Sequence, residues 1–113
     1  MRASARALTA AGLLTLACIA SAQAQTSTEV APGEQVYERW CSHCHDPGRG
    51  QPGTQSLQIK YGDSLPAVLL EREDLTPDII KTFVRQGVLS MPPFRKTEIT
   101  DAELDALARY MTR

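Results

Sequence analysis

Cys41-Ser42-His43-Cys44-His45 gathers two of the chain's three cysteines and both of its histidines into five consecutive positions. Thiols and imidazoles ligate metals, exchange electrons and form covalent links near neutral pH, so this pentad is where chemistry is expected. A structural zinc site needs four ligands, normally as two separated pairs. The pentad supplies one pair with a histidine beside it, and no second pair stands elsewhere in the chain. A thioredoxin-type redox pair would open a helix after a strand. Here the pair follows a helical pattern, with no strand before it.

C-x-x-C-H is the signature of covalent haem attachment. Two intervening residues let one helical turn present both sulfurs to the same porphyrin edge, where they add across two vinyl groups. The adjacent histidine then reaches the iron from one face. Cys41 and Cys44 are therefore the expected thioether residues and His45 the proximal ligand, with His43 a spacer. The sixth iron position decides between electron transfer and small-molecule chemistry. Both histidines are used, so methionine is the natural candidate, and Met91 and Met111 are available downstream. Met111 continues the helical period of Leu104 and Leu107 and reads as core. Met91 lies in LSMPPF, where Pro92 and Pro93 stiffen the backbone, so its thioether has little entropy left to lose on ligation. Met91 is the expected distal ligand, closing a site that holds one haem c per chain.

The elements that must position these residues begin after a leader. Arg2 and Arg6 precede the apolar run Ala7 to Ala20, which ends in small residues, the pattern of a secretory signal cleaved after Ala24, with Ala22 the other choice. The run is shorter than the roughly 20 residues a membrane span needs, so no transmembrane anchor is expected. Cys18 lies within it and leaves with it; Thr15 stands where a lipoprotein signal has Leu. The expected organisation is signal 1–24, flexible leader 25–32 and one domain 33–113, exported to a bacterial periplasm. Taking Arg2 and Arg6 from 12 basic residues leaves 10 against 13 acids, a net charge of −3 that points away from nucleic acid. A domain of roughly 90 residues has a marginal core, and a covalently held haem would supply what is missing.

Pro32-Gly33 starts a helix whose Val36, Tyr37 and Trp40 share a face and which runs into the pentad. Asp46 to Gly53 carries three glycines and two prolines in eight residues and reads as a loop. Pro66 to Glu71 suggests a short helix or buried strand after Ser64. Thr76 as cap, Pro77 at the first position, Asp78 and a closing Gly87 bound a further helix, with Ile79, Ile80, Phe83 and Val84 as its buried face. Val88 to Lys96 is a loop. Thr100 and Glu103 have capping-box spacing, with Ile99 and Leu104 as a staple, before a last helix containing Leu107, Ala108 and Met111. The fold class is all-α: three to four helices and ordered loops around one haem.

GEQVYERWCSHCH (33–45), the Met91-Pro92 loop and LDALARYM at the terminus together resemble the class I c-type cytochromes. The resemblance implies a cytochrome c fold in which Gly33, Val36 and Tyr37 meet the terminal helix near Leu107, Tyr110 and Met111. It also implies that His45 gives its second ring proton to a proline carbonyl, for which Pro52 is the candidate and Pro47 the alternative; Gln51-Pro52 stands where the family usually has Gly-Pro. Trp40, Tyr61 and Arg49 are candidate donors to the haem propionates. Glu71-Arg72-Glu73-Asp74 reads as a solvated turn or a docking patch. The stretch from Tyr61 to Leu104 is similar to cytochromes that accompany flavin-dependent hydroxylases of alkylphenols, which implies a flavin-containing dehydrogenase or hydroxylase subunit as redox partner. With both axial positions filled, the implied function is one-electron transfer, not enzymatic catalysis; with Met91 off the iron, the alternative is a haem protein that binds gas or catalyses.

Overall fold

The computed structural model describes residues 32–113; the signal, the leader to residue 31 and Cys18 lie outside the described residues. Five α-helices follow one another: α1 (Pro32–Trp40), α2 (Ser42–His45), α3 (Pro52–Tyr61), α4 (Pro77–Gln86) and α5 (Asp101–Met111), with a 3-10 turn at Leu69–Glu71. Among the described residues the β-type pairing is an isolated bridge between Val88 and Met91. The fold is all-α as expected, with α2 and α3 raising the helix number above the expected three to four.

The core is built where α1 packs on α5. Val36 and Tyr37 from α1 are buried with Leu104, Leu107, Ala108, Tyr110 and Met111 from α5, so Met111 is a core residue as its spacing suggests. Gly33 permits the approach: a Cβ there would overlap the Ala106 carbonyl and stand 2.7 Å from Tyr110 Cβ. The Tyr37 and Tyr110 rings meet with centroids 6.0 Å apart, in the range of favourable aromatic pairs.

Helix α5 starts where its sequence says. Glu103 N donates to Thr100 Oγ1 (3.2 Å) and Thr100 N donates to Glu103 Oε2 (2.7 Å), a complete capping box that contributes about 1 kcal/mol. Ile99 and Leu104 are both buried beside it. Helix α4 is bounded as expected: Ile79 N donates to Thr76 Oγ1, Pro77 opens the helix and Gly87 ends it at φ +69°.

Its buried face is narrower than the expected four residues. Ile80 and Val84 are buried, whereas Ile79 and Phe83 are 39% and 45% exposed. One neighbouring helix covers one i, i+4 stripe, and residues about 100° further round lie beyond its reach. The Pro66–Glu71 segment forms only the 3-10 turn, with extended backbone at Val68. Arg72 also departs from a solvated turn: its side chain is 6% exposed and its guanidinium forks onto Asp74.

Helix α3 lies partly within the expected loop and partly beyond it. It buries only Thr54 and leaves Ile59 exposed, so no apolar stripe announces it. Its signals are Pro52 at the first position and Gly62 at the end.

Gly33→Ala should lower stability by about 1–3 kcal/mol, because the added methyl meets backbone rather than a movable side chain. Denaturant unfolding of the haem-loaded protein checks this; an unchanged midpoint would mean that α1 and α5 can separate at no cost.

Candidate haem-binding site

Helix α1 delivers the pentad. Cys41 N donates to Tyr37 O (2.8 Å), carrying the α1 ladder through Cys41, whose own carbonyl accepts from Cys44 N (3.1 Å) and His45 N (3.0 Å). Cys41 and Cys44 therefore stand one turn apart as free thiols, Cys41 buried and Cys44 exposed. Burial above all, and then the neighbouring Cys44, push the Cys41 thiol up to about 12. Thiolate redox chemistry needs the opposite displacement, which argues against a thioredoxin-type pair.

His45 follows, half-buried, with its ring against Gly53 at the start of α3. A Cβ at Gly53 would stand 2.7 Å from His45 Nδ1 and from Cys44 O. Burial lowers the His45 pKa, so the imidazole is neutral near pH 7 and keeps the lone pair that a metal ligand needs. Nδ1 is buried without a hydrogen-bond partner. The expected bond to the Pro52 carbonyl is thus not made, and neither is one to Pro47. Pro52 is the first residue of α3, where a carbonyl points along the axis towards the C-terminal end, and it accepts from Ser56 Oγ (2.8 Å). The ring sits at the opposite, N-terminal end.

The contact between α2 and α3 is fixed by polar side chains that the motif does not include. With its amide nitrogen inward, Gln51 donates to the carbonyls of Ser42 (3.2 Å) and His43 (2.6 Å). Thr54 Oγ1 donates to Asp46 O (3.0 Å). Gln51 has φ −96°, a backbone conformation open to any residue.

Met91 sits in a tight turn. Val88 N donates to Met91 O (3.0 Å) and Met91 N to Val88 O (2.9 Å), around Leu89 at φ +52°. Gly87 lets the segment lie on the end of α4, since a Cβ there would come within 2.6 Å of Met91 O and 2.8 Å of Pro93 N. Met91, Trp40 and Phe94 all pack on the buried cluster that contains Cys41, and Trp40 meets Phe94 edge-on at 5.7 Å. The fold thereby brings Trp40, Cys41 and Met91 onto one apolar body. Tyr61 and Arg49 are not part of it. Lys60 and Arg72 stand over the Tyr61 ring (5.0 and 4.8 Å) and lower its pKa, Lys60 foremost; Arg49 is exposed.

The residues present fit a haem c: two unlinked thiols one turn apart, a neutral imidazole and a thioether held by a tight turn. Spacing along the chain gives no hint of the parts that Gly53, Gln51 and Gly87 play in the site. Glycine and glutamine carry no chemistry of their own, and their roles appear only when α3 and α4 are placed.

This set of side chains on an all-α fold defines a c-type cytochrome. Residues 28–111 match the family described as cytochrome c oxidase, cbb3-type, subunit III, and the chain belongs to that family. It is also 29% identical over 94 residues to the 4-cresol dehydrogenase (hydroxylating) cytochrome c subunit of Pseudomonas putida, an alignment covering 83% of this chain and 70% of that one. No solved structure matches at a significant level. Among the described residues, no helix is long and apolar enough to cross a membrane.

Gly53→Ala should displace either the His45 ring or the start of α3. We expect a changed visible spectrum and a loss of about 1–3 kcal/mol in denaturant unfolding of the holoprotein. A spectrum and midpoint equal to wild type would show that the ring has room to retreat.

Proposed function

We propose that this protein is a periplasmic one-electron carrier in which Cys41 and Cys44 hold haem c by thioethers and His45 and Met91 are its axial ligands. The observation that carries the reading is that Met91 packs on the same buried cluster as Cys41, although the two are far apart in sequence. The haem supplies the one-electron couple, and its Met ligation and burial raise the potential. The chain's contribution is placement. Helix α1 and the turn of α2 present the thiols, burial keeps the His45 imidazole neutral, and the Val88–Met91 turn holds the thioether so that little rearrangement accompanies a change of charge.

With both axial positions filled, substrate has no route to the iron, which makes the protein a carrier rather than an enzyme. Export rests on the signal pattern of residues 1–24. For the partner, the relative is by name the cytochrome c subunit of a hydroxylating dehydrogenase, and the sequence resemblance points the same way. We infer a flavin-containing dehydrogenase or hydroxylase as electron donor and the respiratory chain as destination.

Absorption spectra of the purified protein test the reading. A c-type pyridine haemochrome is expected, together with the ferric near-infrared band of methionine sulfur on iron. In Met91→Ala that band should vanish and the potential should fall by on the order of 0.1–0.3 V, part of the roughly 0.8 V range that axial ligands command. A wild-type protein that lacks the band and binds carbon monoxide readily when reduced would instead have an open site and belong to gas binding or catalysis.

A further inference from the structure

Arg85, near the C-terminal end of α4, reaches across to the chain that follows the Met91 turn. Its Nη1 donates to Phe94 O (3.1 Å) and to Ile99 O (2.9 Å), and its Nη2 donates to Asp101 Oδ1 (2.9 Å). The side chain is 23% exposed and Asp101 is 63% exposed, so the ion pair is screened and the two carbonyl bonds are the better protected part. Lys96 also donates to Asp101 (2.7 Å), leaving that carboxylate a cation if Arg85 is lost.

Besides the packing of its Met91 and Phe94 side chains on the buried cluster, the Met91 segment is held by backbone hydrogen bonds. Val88 and Met91 close the turn on one side, and Phe94 N donates to Val84 O (2.8 Å) on the other. Pro92 and Pro93, between these two ties, have no N–H to give. Arg85 thus adds side-chain hydrogen bonds that fasten the downstream end of the segment, at Phe94 and again at Ile99, to the helix on which its upstream end begins.

We propose that Arg85 is a positioning residue that sets how readily Met91 leaves the iron. The inference rests on the reading of Met91 as distal ligand. An external base can take the sixth position only after the thioether moves away, and a segment that moves carries the thioether with it. Loosening the segment at Phe94 therefore increases the fraction of molecules open to that base, and the apparent affinity for the base rises by the same factor.

The test uses ferric holoprotein titrated with imidazole, read by loss of the near-infrared methionine band. Arg85→Met removes all three bonds and should tighten apparent imidazole binding by about threefold or more. Arg85→Lys, which keeps the charge and can reach one carbonyl, should lie between Arg85→Met and wild type. Lys81→Met is the control, since it removes a different α4–α5 ion pair, that with Asp105. It should cost stability and leave imidazole binding within that factor of wild type.

A change below threefold in Arg85→Met overturns the proposal, and so does an equal change in Lys81→Met, which would make the effect one of general stability. Should Arg85→Met fail to yield holoprotein, Arg85→Lys takes its place, and an imidazole affinity equal to wild type in that variant overturns the proposal. If wild-type protein lacks the methionine band, the reading of Met91 falls and this inference with it. A band present in wild type, with unchanged imidazole affinity in the variants, defeats this inference alone.

Discussion

The backbone contact between α1 and α5 at Gly33 is the constraint on which the remaining structure depends. Without a side chain at Gly33, α1 lies directly on the Ala106 carbonyl and Tyr110. The Val36, Tyr37, Leu107 and Met111 side chains are buried around that contact. Everything functional is reached from these two helices. The end of α1 runs into Cys41, while α5 packs against α4 and so sets where α4 hands over to the Met91 turn. Burial across this crossing, at roughly 25 cal/mol per Å² of apolar surface, orients both halves of the site.

A second layer of placement acts on His45. The imidazole is half-buried against Gly53, which lowers its pKa and keeps its nitrogen lone pair free. Helix α3 contributes almost nothing to the core, with Thr54 its sole buried residue. Its work is local: it closes on the pentad through Gln51 and Thr54 and supplies the glycine on which the ring rests. With its amide nitrogen turned inward, Gln51 donates to two carbonyls of the pentad.

The Met91 segment is organised from α4. Gly87 ends that helix and lets Met91 and Pro93 approach it closely, and the segment returns through Phe94 to Val84. The thiols and the thioether therefore belong to different halves of the chain that share one apolar cluster. This is the arrangement found in a chain of the cytochrome c oxidase cbb3-type subunit III family.

The pentad is legible in the amino-acid sequence because it carries its own chemistry: thiols separated by two residues with an adjacent imidazole have few other uses. The ends of α4 and α5 are equally plain, since caps and boxes at Thr76 and Thr100 are local hydrogen-bonding devices that act within a few residues. Helix α3 is not legible, because it has no apolar stripe and the proline and glycine that open it read equally well as loop. The division of α4 into a covered stripe at Ile80 and Val84 and a half-exposed one at Ile79 and Phe83 is also beyond the sequence, which records four apolar residues and not which of them a neighbour reaches. Nor does it assign the roles of Gly53 and Arg85. What the sequence by itself determined is the chemistry and the helix ends, which depend on neighbouring residues. What only the tertiary structure decided is which atoms meet across elements, because those distances are set by how α1, α4 and α5 pack and not by spacing along the chain.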